Sequence, residues 1–545
     1  MRAFARLIDD LGRARSRNRK LEILARYFAS TPDPDRGWAL AALTDGLPPR
    51  MPLRRLLADL MAERVDPLLY ELSRDFVGDT AETVALLWPD DGRDCDQSPA
   101  LGQVVDRLRG AGPREHAAIL AGLLDAVAAP ERYAFLKLVG GAPRVGVSAR
   151  LTRQALADAF ARDIREIEEV WHALAPPYGA LFDWLGGSGA RPETANLPVF
   201  RPLMLANPID DEDFAALVPG EIAAEWKWDG IRVQIAATRG DARLYSRTGD
   251  DISAAFPEIR SAFAGAEVVL DGELLVVRDG AVAPFNALQQ RLNRRTVAPR
   301  LLRDSPAHVR LYDLLLDGRE DLRALPLSVR RERLVAWHSA RRPPLSDLSP
   351  LVPFDSLDAL RRIWSSTRAA GIEGLMLKRM ASPYLAGRPK GHWWKWKRAA
   401  QTLDCVLMYA VRGSGKRASY YSDYTFGVWR PGEGEARELV PVGKAYSGFT
   451  DAELEALDAW VRAHTTERFG PVRRVAPGLV LEIAFDALYA SSRHKSGLAM
   501  RFPRVHRIRW DKPAAEADSL ETAQALSGDS VEPRPAAGQT GHPLS

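Results

Sequence analysis

The sequence has little cysteine: two residues in 545, Cys95 and Cys405. Two thiols far apart cannot build a zinc site on their own, and they exclude a disulfide framework. A reducing compartment, the cytoplasm, is the expectation. Long apolar runs are lacking too. None approaches the roughly 20 residues that cross a bilayer, so no membrane-spanning or membrane-bound role is expected. The opening MRAFARLIDDLGRARSRNRK carries acids and no apolar stretch followed by a small-residue cleavage site, so no signal peptide is read there. Nor does one sign of charge dominate. Lys and Arg number 75 against 71 Asp and Glu, a formal net charge of +4. That balance permits an anionic partner without demanding one, and the placement of the cations has to decide.

What is present is a long chain with a hydrophobic fraction of 46%, the composition of globular domains. At roughly 150 residues per domain, the length allows three or four units. Residues 1–198 are rich in Leu, Ala, Arg and Glu, with apolar residues at helical spacing, as in KLEILARYFA and RQALADAFARDIREIEEVWHAL. An all-α domain is expected there. It is broken at Gly140-Gly141-Ala142-Pro143-Arg144-Val145-Gly146, which reads as a tight exposed turn between helices. Residues 199–398 alternate apolar and polar residues in EIAAEWKWDGIRVQIAAT, AEVVLDGELLVVRDG and HVRLYDLLL. Helical segments such as SVRRERLVAWH intervene, so a mixed α/β (α+β) domain is expected. Residues 399–513 read as short strands with Gly turns, for which a small closed β-barrel is the natural solution. Residues 514–545 turn polar and rich in Ala, Gly and Pro and are expected to be a disordered tail.

Five clusters carry chemistry. Lys227 lies in Glu225-Trp226-Lys227-Trp228-Asp229-Gly230-Ile231-Arg232, at a strand end before an Asp-Gly turn. It is either a surface lysine or a nucleophile. An amine nucleophile needs nearby cations and partial desolvation to shed its proton. Arg232, Arg247, Lys395 and Lys397 are the candidate cations. Val268-Val269-Leu270-Asp271-Gly272-Glu273-Leu274 and Gly371-Ile372-Glu373-Gly374-Leu375 each place an acid among strand residues. Either is a surface turn or half of a Mg²⁺ site, since Mg²⁺ beside a triphosphate takes one or two carboxylates. In His392-Trp393-Trp394-Lys395-Trp396-Lys397-Arg398, strand alternation puts Lys395 and Lys397 on one face and Trp394 and Trp396 on the other. Arg501-Phe502-Pro503-Arg504-Val505-His506-Arg507-Ile508-Arg509-Trp510-Asp511-Lys512 is either a solvated basic run or a phosphate clamp.

Taken in order, these clusters resemble the motifs of the covalent nucleotidyltransferases, specifically the ATP-dependent DNA ligases. K-x-D-G-x-R matches Lys227 to Arg232, S-R-x-G matches Ser246 to Gly249, and D-G-E matches Asp271 to Glu273. An aromatic-Asp-Leu-Leu motif matches Tyr312 to Leu315, E-G-L-M-x-K matches Glu373 to Lys378, W-x-K-x-K matches Trp393 to Lys397, and R-x-D-K matches Arg509 to Lys512. Segments outside the motifs also look ligase-like: FRPLMLA, FNALQQR, LVPVGKAYSGFT and GGAPRVGVS. The bacterial repair-type ligases, including a group linked to cisplatin damage response, are the nearest likeness.

The resemblance implies a helical DNA-binding domain, an adenylation (nucleotidyltransferase) core and a C-terminal OB-fold. It implies that Lys227 attacks the α-phosphate of ATP and holds AMP, with ATP as cosubstrate and Mg²⁺ as metal. Glu225 would meet the adenine amino group and Tyr312 would stack on the base. Arg232, Arg247 and Lys395 would hold ribose, phosphate or the nick 5′-phosphate. Glu273 and Glu373 would serve sugar and metal, and Lys397 the charge on the α-phosphate. Arg509 and Lys512, helped by Asp511, would orient pyrophosphate, which requires the third domain to close on the second. Families of this type often place a cation before the lysine pair; Arg388 is the candidate here, with Lys390 the alternative beyond a proline. Arg144 is either a DNA-backbone contact or part of a helix-packing turn. The partner implied is nicked double-stranded DNA, bound by a monomer in the cytoplasm at the nucleoid, with a repair helicase or nuclease as further partners. RNA ligases and capping guanylyltransferases share the lysine motif but lack a large helical domain before the core. NAD-dependent ligases carry a four-cysteine zinc module that two cysteines cannot supply. A catalytically dead nucleic-acid-binding protein would not need Lys227 and both glutamates intact.

Overall fold

The computed structural model describes residues 1–526 apart from 15, 45, 48–52, 91–97, 113, 142, 195–196, 293, 295, 367–371, 398–399, 414–420, 433–436, 447 and 492–493. Cys95, Ala142, Gly371 and Arg398, singled out above, lie outside the described residues. Contacts divide the chain into two compact units. One comprises Met1–Met51, Asp96–Ile119 and Ala134–Arg398; the other comprises Pro52–Cys95, Leu120–Tyr133 and Ala399–Ser545. From residue 399 onward the chain belongs wholly to the second unit. The helical region, in contrast, is shared between the two units rather than standing as a unit of its own.

Among the described residues before 207 there are only helices. Their caps follow the sequence. Ser16 accepts from the Arg19 N–H, Asp79 from Ala81 and Glu82, and Ser148 from Leu151. In the first unit, Arg17–Ser30 packs on Ala149–Phe160, and Phe28 meets the ring of Phe182. RQALADAFARDIREIEEVWHAL is not one helix. It breaks at Ala161, which takes φ +50, and restarts behind the Asp163 cap. The expected turn at 140–146 is present between Ala129–Val139 and Ala149–Phe160. Gly141, Arg144 and Gly146 all have positive φ there. The turn is pinned from outside by Lys20, whose Nζ donates to the carbonyls of Val145 (2.6 Å) and Gly146 (3.0 Å). Arg144 itself is exposed.

The mixed domain is built on two sheets. Its strands are β1 (Asn207–Pro208), β2 (Ile222–Trp228), β3 (Ile231–Ala237), β4 (Ala242–Ser246), β5 (Val268–Arg278), β6 (Ala281–Val282), β7 (Ala307–Asp317), β8 (Glu320–Asp321), β9 (Ser346–Leu348), β10 (Ile372–Arg379) and β11 (Trp393–Lys397). The smaller sheet runs β1-β11-β10-β2, and the larger runs β4-β3-β5-β7-β8 with β6 and β9 attached. A core of Met204, Ala236, Tyr245, Val269, Leu315, Tyr384 and Trp393 draws on strands of both sheets. Helices cover the other faces. Ile259, Leu288 and Leu334 close the larger sheet, while Phe214 and Leu360 close the smaller. Burial of these apolar faces, at about 25 cal/mol per Å², is the main force holding the layers. One buried ion pair crosses a layer: Arg330, on helix Leu327–Arg341, donates through Nε to Asp313 of β7 at 2.8 Å.

The second unit contains β12 (Gln401–Arg412), β13 (Tyr421–Pro431), β14 (Arg437–Ala445), β15 (Thr465–Phe469), β16 (Val472–Val475), β17 (Val480–Phe485), β18 (Ala487–Ala490), β19 (Leu498–Arg501) and β20 (Arg504–Arg509). β12 pairs with β13, β16 and β17, and β20 joins through β17. The sheet wraps a main core that includes Leu403, Cys405, Phe426, Val442, Ile483 and Ile508, and Val406, Val480 and Ala517 form a smaller cluster. Helix Asp451–Ala463 supplies Leu457 and Val461 to it, starting from a Thr450–Glu453 capping box. The expected disordered tail does not start at 514. Helix Leu520–Leu526 packs on the barrel, with Ala523 fully buried and Leu520 and Leu526 against the core. Apolar residues at 520, 523 and 526 share one helical face, which the bulk composition concealed. Residues 527–545 lie outside the described residues.

Candidate functional site

Lys227 sits where the chain leaves one sheet for the other. β2 belongs to the smaller sheet and β3 to the larger, and Asp229-Gly230 makes the crossing. Gly230 is needed there, since a Cβ would stand 2.3 Å from the Leu274 carbonyl oxygen and 2.7 Å from Cγ of Glu273. Register then assembles the smaller sheet's contribution. Gly374 of β10 lies between Lys227 of β2 and Lys397 of β11, and Met376 lies between Glu225 and Lys395. The four charged residues share a face, and Trp226, Trp394 and Trp396 take the opposite one. The expected division of the lysines and tryptophans of β11 is found. Glu373 sits at a bulge in β10, beside Gly374 with φ +146. A Cβ on Gly374 would lie 2.1 Å from the Trp396 carbonyl oxygen. Neither acid segment is a surface turn. Asp271 and Glu273 lie in mid-strand on β5, and Glu373 lies within β10.

The Lys227 ammonium donates to Oε2 of Glu373, and Lys397 approaches the same oxygen at 3.3 Å. The Lys227 side chain is 21% exposed, so it is neither core nor free surface. From the larger sheet, Glu273 lies in register between Arg232 and Arg310. Burial raises the Glu273 carboxyl to about 8, Lys227 and Arg232 oppose that, and Glu373 and Asp271 add to it. Lys227 and the two expected metal-ligand acids are therefore electrostatic neighbours. Among the described residues no group of three or more His, Cys, Asp or Glu could hold a metal. Two hard carboxylates, one of them already short of positive charge, nevertheless fit a Mg²⁺ that takes its remaining ligands from water and phosphate.

Lys395 is ringed by cations. Burial lowers its pKa, and Arg388, Lys397, Arg247 and Lys227 lower it further. Arg247 reaches this cluster from the turn after β4, where Gly249 takes φ +82. Five cations converge here, and Glu373 pairs with two of them, Lys227 and Lys397, so the cluster keeps an excess of positive charge suited to phosphate.

Other expected residues are committed to protein contacts. Glu225 is buried and accepts from Lys378 through both oxygens at 3.1 Å. The same Lys378 ammonium lies 4.4 Å from the centre of the Tyr312 ring. Arg232 donates to Asp271 through Nε (3.1 Å) and Nη2 (2.5 Å), and through Nη1 to the Met204 carbonyl (2.8 Å). Tyr312 and Tyr384 both donate to Asp271, at 3.1 and 2.7 Å. Asp271 thus anchors the floor of the site. Sequence reading assigned no role to Asp271, Lys378 or Tyr384. The first two lie inside recognised motifs, whereas nothing around Tyr384 distinguishes it.

In the second unit, Arg509 and Lys512 both reach Oδ2 of Asp404, at 3.2 and 2.8 Å. Arg509 also holds the Asp511 carboxyl down at about 2 by hydrogen bonding.

Two family models match the chain: the ATP dependent DNA ligase domain over residues 203–397, and the ATP dependent DNA ligase C terminal region over residues 417–512. A probable DNA ligase of Koribacter versatilis is 36% identical, covering 76% of this chain and 75% of that protein. A probable DNA ligase of an Anaeromyxobacter species is 37% identical, covering 78% of this chain and 83% of that protein. The solved structure Pmar-Lig_PreS3 is similar with a TM-score of 0.55 at 17% identity, over 93% of this chain and 99% of that one, a likeness of fold.

Proposed function

The chain belongs to the ATP-dependent DNA ligases, and from that premise we propose that Lys227 is the residue that carries the adenylate. A nucleotidyltransferase core and a C-terminal OB-like domain make up the part shared with the family. The enzyme seals 5′-phosphate/3′-hydroxyl nicks in duplex DNA with ATP, by way of an enzyme-bound and then a DNA-bound adenylate.

The observation that supports Lys227 is its place at the crossing between the sheets, partly buried, within one electrostatic cluster with Glu373, Glu273 and Lys397. The ammonium first gives its proton to solvent and parts from Glu373. Its lone pair then forms a bond to the α-phosphorus as the bond to pyrophosphate oxygen breaks. Lys397 and Lys395 neutralise charge developing on the α-phosphate, with Arg247 and Arg388 completing the cationic wall. A 5′-phosphate oxygen of the nick next displaces the lysine nitrogen, and the 3′-hydroxyl finally displaces AMP. Mg²⁺ held by Glu273 and Glu373 would supply charge neutralisation on the phosphates. Arg509 and Lys512 orient the departing pyrophosphate. Tyr312 offers its ring to the base, and Glu225, fixed by Lys378, lies at the adenine end. Arg232 shapes the sugar pocket through Asp271 rather than as an open cation.

The helical region is the further DNA-binding element, with Arg144 of the Lys20-pinned turn on a phosphate. We place the enzyme in DNA repair in a bacterial cytoplasm at the nucleoid, acting as a monomer beside a helicase or nuclease. No helix among the described residues is long and apolar enough to cross a membrane.

The test is labelling with [α-³²P]ATP or GTP followed by addition of nicked duplex. Only ATP should label the chain, and the label should move to DNA. Lys227→Ala should abolish labelling while leaving duplex affinity within about twofold, a difference of about 0.4 kcal/mol. Retained sealing from ATP by that variant would remove the assignment.

A further inference from the structure

We propose that Asp404 is the positioning residue for Arg509 and Lys512, and that the segment after residue 512 exists in part to hold Asp404 in place. This rests on the reading of Arg509 and Lys512 as the pair that orients pyrophosphate. Asp404 lies on β12, more than a hundred positions from both. Its Oδ2 takes the Arg509 Nη1–H at 3.2 Å and the Lys512 Nζ–H at 2.8 Å. Two like charges on a short segment repel, and their long side chains have many rotamers. One shared acceptor removes both problems by fixing the two tips on a single oxygen. The Asp404 side chain is only 12% exposed, so water competes weakly for it. Its other oxygen, Oδ1, is buried with no hydrogen-bond partner among the described residues.

The Asp404 backbone is clamped in turn. Its N–H donates to Oδ2 of Asp518 at 2.8 Å, and its carbonyl accepts from the Asp518 N–H at 2.9 Å. Asp518 is tied to β13, where its carbonyl accepts the Trp429 N–H at 3.1 Å. The Trp429 indole donates to the Ala514 carbonyl at 2.6 Å. Helix Leu520–Leu526 anchors the far end through buried Ala523. The strap lies beyond the stretch that the C-terminal family model matches, which ends at 512.

Charge separates positioning from simple attraction. Arg509 and Lys512 are matched by Asp404 and Asp511, with the Asp518 carboxylate close behind, so the pair carries no excess of positive charge. Pyrophosphate is then met by aimed donors rather than by net charge. Replacing Asp404 by Asn makes the cluster more positive while releasing its aim. The two effects move kinetic constants in opposite directions.

The experiment measures single-turnover self-adenylylation with ATP, and sealing of a pre-adenylylated nick, for Asp404→Asn, Asp518→Ala, Lys512→Ala and the Arg509→Ala/Lys512→Ala pair with and without Asp404→Asn. For Asp404→Asn, the adenylylation rate at saturating ATP should fall at least ~10-fold, with half-saturation unchanged or lower. Sealing of the pre-adenylylated nick should change by less than about twofold, since lost aim at pyrophosphate acts only on the first step. In the Arg509→Ala/Lys512→Ala background, Asp404→Asn should cost nothing more. Asp518→Ala, which keeps the carboxylate of residue 404, should show a smaller deficit confined to the first step. If Asp404→Asn does not fold, that Asp518→Ala deficit decides alone. A faster first step, equal loss in both assays, or an additive loss in the paired background overturns the proposal. If Lys512→Ala leaves the first step intact, the reading of the pair fails instead.

Discussion

Glu273 carries a cost that pH can expose. Burial lifts its carboxyl from the ordinary 4.5 to about 8. Between those values the folded chain holds a proton that the unfolded chain has released. Stability from this group is full below about 4.5 and is lost as pH rises through about 8. Glu273→Gln stays neutral in both states. Its melting temperature relative to the parent should therefore climb from pH 5 to pH 8.5, as followed by circular dichroism without nucleotide or divalent cation. A difference that does not vary with pH would mean that the carboxyl is already ionised in the fold. Glu273 was legible in the sequence as a candidate because D-G-E is a fixed spacing. Its titration was not, since it depends on Lys227, Arg232 and Glu373 from three other strands.

The elements of the site are short strands whose glycines make close approach possible. Gly374 is the sharpest case, with φ +146 and no room for a Cβ under the Trp396 carbonyl. Gly374→Ala must push β10 away from β11, which carries Glu373 and Lys397 apart. A destabilisation of at least about 1 kcal/mol is expected in urea unfolding, since Ala is strained at such a backbone angle. Adenylylation should fall by more than the folded fraction accounts for. Retention of full labelling would show that the β10–β11 spacing does not set the geometry. Strand and helix types were readable from alternation and period, as in VVLDGELLVV and SVRRERLVAWH. Element ends were less so. One helix-like stretch divides at Ala161, and a helix appears at Leu520–Leu526 where composition suggested none. Local conformation at a single residue and burial by a distant core decide such points.

At the scale of the whole molecule, a net charge of +4 gives only weak long-range attraction for a polyanion. Duplex affinity should then depend on a small set of local phosphate contacts and fall linearly on a log–log salt plot. Arg144→Ala should reduce the magnitude of that slope by about 1, as measured by anisotropy on nicked duplex between 50 and 200 mM salt. An unchanged slope would leave Arg144 as a packing residue of its turn.

The sequence by itself determined the resemblance to the ligases and which side chains are candidates for the chemistry. An attacking amine, paired acids and phosphate-binding cations must be particular residue types at particular spacings, and spacing is written in the chain. Only the tertiary structure decided who faces whom. Lys227 meets Glu373 across 146 positions, and Asp404 meets Arg509 and Lys512 across 105 and 108. Those meetings follow from strand register. Register is set by the burial of whole faces and by bulges such as that between Ile372 and Gly374, not by any local pattern of residues.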